Sequence, residues 1–137
     1  MTSIMKMTVP GKPEFLNLCS ESAITVSAVL GINVDIIDEI GMAVFEACKF
    51  LTCHESDCWC KAYNVEFLYE NNKMIVEITT DGKYSITKSR RICMDCPNEG
   101  ELGVQIIKSI MDEVIIDRQY DDGSGSGKKI TLVKNIC

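Results

Sequence analysis

Ile37, Ile40, Val44, Ala47 and Leu51 step along the chain by 3, 4, 3 and 4 positions. That spacing lines five apolar side chains along one side of an α-helix and leaves the other side to water. Asn33 stands where an N-cap belongs, and Asp35 lies near the positive end of the helix dipole. A helix is therefore predicted from there to about Thr52, and its apolar stripe must be covered by a second layer of structure.

The next residues suggest what that layer is. Residues 61–69 and 74–80 are β-rich, and Tyr63, Phe67 and Tyr69 share one strand face. Glu70-Asn71-Asn72-Lys73 between them reads as a hairpin turn, because Asn tolerates left-handed geometry. Upstream, residues 4–9 form an opening strand closed by Pro10-Gly11, and Pro13 suits a first helical turn. A helix over 14–30 turns Phe15, Leu18, Cys19, Ala23, Val26 and Leu30 inward, with Gly31 as its C-terminal stop.

Downstream, residues 82–100 have no sustained period and read as a long loop, a length usually tied to function or motion. A third helix over about 101–112 turns Leu102, Ile106, Ile107 and Ile110 inward. Residues 114–120 and 129–133 form a last strand pair around the glycine-rich stretch 121–127. That stretch is no phosphate loop: only three residues separate Gly123 from Gly127, and a strand follows instead of a helix. The order β-α-α-β-β-loop-α-β-β predicts an α+β fold. It is a two-layer α/β sandwich with a mixed, mostly antiparallel sheet and three helices on one face, a single domain over residues 1–137.

Charge narrows the function classes. Fourteen Lys and Arg against twenty Asp and Glu leave a net charge of −6, the wrong sign for a nucleic-acid binder. Hydrophobic residues make up 46%, enough for a real core, so disorder is excluded. No run of about 18 apolar residues is present, so the expectation is a cytoplasmic protein with no membrane partner. Eight cysteines are unusual for that compartment. Cys53, His54, Cys58 and Cys60 form C-H-x3-C-x-C, and Cys93 and Cys96 form C-x2-C, a common chelate spacing. Three readings stand for these residues: reduced thiols, a Zn²⁺ or iron–sulfur site, or a redox disulfide. Lys88, Arg90 and Arg91 read as a solvated charge run or as cations for phosphate or an acidic partner.

One pattern extends along the whole chain. Residues 41–48 (Gly-Met-Ala-Val-Phe-Glu-Ala-Cys), Thr80-Asp81-Gly82, Glu99-Gly100-Glu101-Leu102-Gly103 and Ile110-Met111-Asp112-Glu113-Val114 recur in one order. Over about residues 7–136 this resembles the anti-sigma factor serine kinases, members of the ATP-binding fold shared with histidine kinases, gyrase and Hsp90 chaperones. The resemblance implies that fold, a homodimer, and a sigma factor or an anti-anti-sigma protein as partner. It implies that Glu46 is the general base toward a partner serine, a role a carboxylate near a γ-phosphate can fill. It implies further that Asp81, Gly82, Gly100, Leu102 and Gly103 belong to the nucleotide pocket and its lid.

At two positions the chain departs from the family's pattern. Phe50 replaces the family's Mg²⁺-binding Asn and offers no oxygen to a hard cation. Thr80 replaces the Asp that reads adenine and supplies no carboxylate. ATP with Mg²⁺ is therefore expected to bind weakly or not at all. The resemblance also brings Cys53, His54, Cys58 and Cys60 close to Cys93 and Cys96, where a metal or cluster would take over from nucleotide. Three functions follow as expectations: an anti-sigma-like binding module with a degenerate pocket, an active serine kinase using Glu46, or a metal- or redox-sensing switch on the same fold.

Overall fold

A computed structural model describes residues 2–51, 62–80, 102–120 and 127–136, apart from the side chains at 13, 118–120, 127 and 128. Strand β1 (Thr2–Pro10) leads through a 3-10 turn (Pro13–Phe15) into helices α1 (Leu16–Val29) and α2 (Val34–Leu51). Strands β2 (Ala62–Glu70) and β3 (Lys73–Thr80), helix α3 (Leu102–Ile110) and strands β4 (Glu113–Tyr120) and β5 (Gly127–Asn135) complete the order. The architecture is α+β, with a five-stranded sheet in the order β1-β2-β3-β5-β4. Every pairing among these strands is antiparallel, so the expected mixed sheet is corrected to a fully antiparallel one. The connections explain this, since β2–β3 and β4–β5 are hairpins and no described strand pair needs a parallel crossover.

Local chemistry sets the boundaries. Asn33 caps α2, its Oδ1 accepting the Asp35 N–H at 2.9 Å. Gly31 closes α1 with φ 76°; its N–H donates to the Ala28 carbonyl at 3.0 Å, and Ile32 N–H donates to Ser27 at 3.1 Å. That pair of bonds satisfies carbonyls the helix end leaves unpaired, in a geometry that needs a residue free to adopt positive φ. Asn71 and Asn72 take φ 51° and 61°, the left-handed pair that a two-residue hairpin turn requires.

Alternation along the strands sends Tyr63, Val65 and Phe67, then Met74, Val76 and Ile78, then Ile130 and Leu132, into one core with the helices. The α2 stripe predicted from sequence, Ile37 through Leu51, is buried there throughout. Two expected inward positions are corrected: Leu18 is 46% exposed and Leu102 is 70% exposed. On α1 the buried seam is instead Cys19, Ala23 and Ser27, all fully buried and one turn apart. Small residues there let α2 come close: Ser20 Oγ donates to the Gly41 carbonyl at 2.8 Å, and a Cβ on Gly41 would stand 2.7 Å from Ile24 Cγ1. The sheet's other face is largely polar, with Lys6–Glu66 and Lys129–Glu77 pairs beside a small apolar cluster of Leu68, Ile75 and Val133.

The far end of α3 is tied down by β5. Lys134 Nζ donates to the Ile110 carbonyl at the helix C-terminus and pairs with Glu39 of α2 at 3.1 Å. Asp112 N–H donates to the Val133 carbonyl at 2.9 Å, and its own Oδ2 accepts from Asn135 N–H at 2.6 Å. These bonds fix the axis of α3 relative to α2 and so aim its N-terminus. No described helix is long and apolar enough to cross a membrane.

Candidate functional site

Glu46 and Phe50 are four residues apart on α2 and therefore share one side of that helix. α3 packs along α2 and brings its first turn opposite them. The two helices enclose a cleft of about 210 Å³ lined by Glu46, Lys49 and Phe50 from α2 and by Leu102, Gly103, Val104 and Ile106 from α3. Four of the residues that the resemblance assigns to a nucleotide site thus converge: Glu46, Phe50, Leu102 and Gly103.

Within the cleft Glu46 reaches the backbone of Gly103. A Cβ built on Gly103 would overlap the Glu46 carboxylate oxygen, so only glycine leaves room for the acid in this position. Gly103 lies in the first turn of α3, where backbone N–H groups lack intrahelical partners and the dipole favours an anion. The Glu46 side chain lies against the backbone of that first turn.

Phe50 closes the floor. It is 5% exposed and belongs to the main core while also lining the cleft. A ring at this position contributes hydrophobic surface and excludes water; it presents no ligand to a hard cation. Lys49 is exposed at the rim and brings an ammonium within the same cleft as Glu46. Sequence reasoning passed over Lys49 and Val104 and read Ile106 only as an inward position of α3. The available signal for Lys49 was its place one turn after Glu46, basic in the last turn of α2.

Thr80 is fully buried at the end of β3, cross-strand from Tyr63 on the helix-facing side of the sheet. It is not among the residues lining the described cleft. Asp81, Gly82 and Gly100 lie outside the described residues, as do Cys53, His54, Cys58, Cys60, Cys93 and Cys96 and the cations Lys88, Arg90 and Arg91. Among the described residues, no three His, Cys, Asp or Glu side chains converge as metal ligands. Cys19, expected inward on α1, is fully buried, as is Cys48 on α2, and neither is in a disulfide.

The walls formed by described residues enclose less than the roughly 300 Å³ at which small-molecule pockets usually begin. One carboxylate, one ammonium and otherwise apolar side chains make this part of the cleft suited to positioning and weak anion discrimination. No protein-family model and no curated protein matches the chain.

Proposed function

We propose that the protein is a regulatory binding module of the anti-sigma factor type, in which the α2–α3 cleft is a degenerate nucleotide pocket on a histidine-kinase-like ATPase fold. The observation that supports this reading is the convergence of Glu46, Phe50 and Gly103 in one cleft, with Phe50 buried at the metal-ligand position. Regulation on this reading comes from holding a partner, a sigma factor or an anti-anti-sigma protein, with the chain acting as a homodimer. Such binding needs no phosphoryl transfer, so it should be independent of ATP.

The test uses the full-length chain and the sigma factors and anti-anti-sigma proteins encoded in the same genome, each purified and mixed without nucleotide. The expected result is a stable complex with one of them by size-exclusion chromatography with light scattering, unchanged by adding ATP and Mg²⁺. Failure of every sigma factor and anti-anti-sigma protein to bind would refute the proposal.

A second reading, an active serine kinase, draws support from the position of Glu46 within the cleft. A carboxylate there could accept the proton of an incoming serine hydroxyl. Transfer of the γ-phosphate of ATP to a partner serine, abolished by Glu46→Gln, would favour this reading over the first.

A further inference from the structure

The two edges of the sheet are not alike. β4 carries the acids Glu113 and Asp117, and its ladder with β5 is broken between Asp117 and Tyr120. Charges and irregularities of that kind keep an edge from pairing with another chain. β1, at the opposite edge, pairs with β2 and has no second strand partner among the described residues. Its register shifts between Ser3 and Met5, and from Met5 to Pro10 the ladder runs without interruption. Lys6 is the strand's only charged residue and is paired with Glu66 of β2 at 3.9 Å. Ile4 and Met5 are 39% and 36% exposed, large apolar side chains left at an open edge.

The backbone of such an edge specifies what covers it, namely an extended strand. In an antiparallel ladder every second residue turns its N–H and C=O away from its partner strand. Pro10 lies opposite Ala62 but has no N–H, and its carbonyl accepts the Lys12 N–H at 2.9 Å. Pro10 therefore belongs to the set turned away from β2, and so do Thr8 and Lys6, two and four residues earlier.

We infer that β1 docks a second copy of itself, antiparallel, about a two-fold axis at Met7. Register singles out that axis. It sets Lys6 opposite Thr8 of the second copy, and Thr8 opposite its Lys6, so that the outward-turned groups exchange hydrogen bonds in both pairs. It also sets Met5 opposite Val9, Met7 opposite Met7 and Val9 opposite Met5. All three lie on the helix side, since their β2 partners Phe67, Val65 and Tyr63 belong to the core. The ladder stops where Pro10 meets Ile4, the residue left over by the register shift. An axis at Lys6 would set two ammonium groups opposite each other, and an axis at Thr8 would carry Pro10 into the ladder opposite Lys6. Pairing about Met7 closes the open edge of both chains at once and leaves only the two guarded β4 edges outside. The inference takes the homodimer from the function proposed above and adds its surface, which is drawn from β1 and not from the α2–α3 cleft.

The test compares the full-length chain with Thr8→Glu and Thr8→Lys by sedimentation equilibrium at low salt, from about 1 μM to about 1 mM. Thr8 is exposed, and its hydroxyl reaches only Asn64 at the surface, so both variants are expected to fold. The unaltered chain is expected to show a reversible monomer–dimer equilibrium. Thr8→Glu puts a carboxylate opposite Lys6 in two symmetric pairs and is expected to tighten the dimer about 2- to 30-fold. Thr8→Lys puts an ammonium there and is expected to loosen it by a similar factor. A dimerisation constant that both variants leave unchanged, or move in the same direction, overturns the inference and leaves partner binding untouched. A chain that stays monomeric at about 1 mM overturns it too, and leaves the edge to a strand from another protein. Opposite responses of the two variants without any sigma-factor or anti-anti-sigma complex would uphold the β1 interface and refute the proposed function alone.

Discussion

The carboxylate of Glu46 occupies the space in which a side chain on Gly103 would begin. Two residues far apart in sequence are thereby matched in shape, an acid on α2 and a bare backbone in the first turn of α3. Any anion entering this cleft meets the protein's own anion first.

Gly103→Ala is expected to displace Glu46 at little cost in stability. The colliding atom is the tip of a flexible, half-buried side chain, and alanine recovers roughly 0.8–1 kcal/mol of helix propensity. Urea unfolding should place the variant within about 1 kcal/mol of wild type. Gly41→Ala differs, because its Cβ would meet the stiff, packed Ile24 at 2.7 and 2.8 Å. That variant should lose about 1–3 kcal/mol through overpacking.

Phe50→Asn should destabilise the protein by about 3–5 kcal/mol, since it removes a core ring and buries an amide. The ring is only 5% exposed, so little of that loss can be relieved by solvent. An unchanged melting temperature would contradict the place of Phe50 in the core.

Asn33→Ala should cost about 1 kcal/mol, by removing the acceptor for Asp35 N–H at the start of α2. Asn33→Asp, which keeps the acceptor and adds a favourable charge, should retain wild-type stability by the same measurement.

Lys134→Met keeps the aliphatic stem but removes the ammonium that joins the Ile110 carbonyl to Glu39. A loss of about 1–3 kcal/mol is expected, because the ammonium is mostly shielded from water, with its side chain 13% exposed. Glu39→Gln should cost less than about 1 kcal/mol, since Glu39 is 42% exposed and solvent screens the pair. Thermal unfolding of both variants distinguishes the two contributions.

Much of this fold is written locally. Asn33, Gly31 and the Asn71-Asn72 pair each take the conformation their chemistry favours, and the α2 stripe is buried as its spacing requires. Helix α1 is harder to read because its apolar residues are spread around the axis, and the seam facing α2 is built from small residues instead of the largest ones. Size complementarity with Gly41 decides that face, and it becomes visible only when both helices are in place. Leu102 misleads for a related reason: it opens α3 at the cleft rim, before the buried turn of Val104 and Ile107. In the site, the shared helix face of Glu46 and Phe50 follows from their spacing, whereas the approach of Gly103 depends on long-range packing that no local pattern encodes.

The proposed function rests on the α2–α3 cleft not serving ATP with Mg²⁺, and titration calorimetry of the full-length chain tests it most directly. On the proposed reading, Phe50 and Thr80 each withhold a polar contact that a nucleotide pocket of this type would need, at a cost of about 1.5–3 kcal/mol apiece, or one to two decades of affinity. The predicted result is no saturable heat below about millimolar ATP–Mg²⁺. Saturable binding with a micromolar dissociation constant that depends on Mg²⁺ would contradict it.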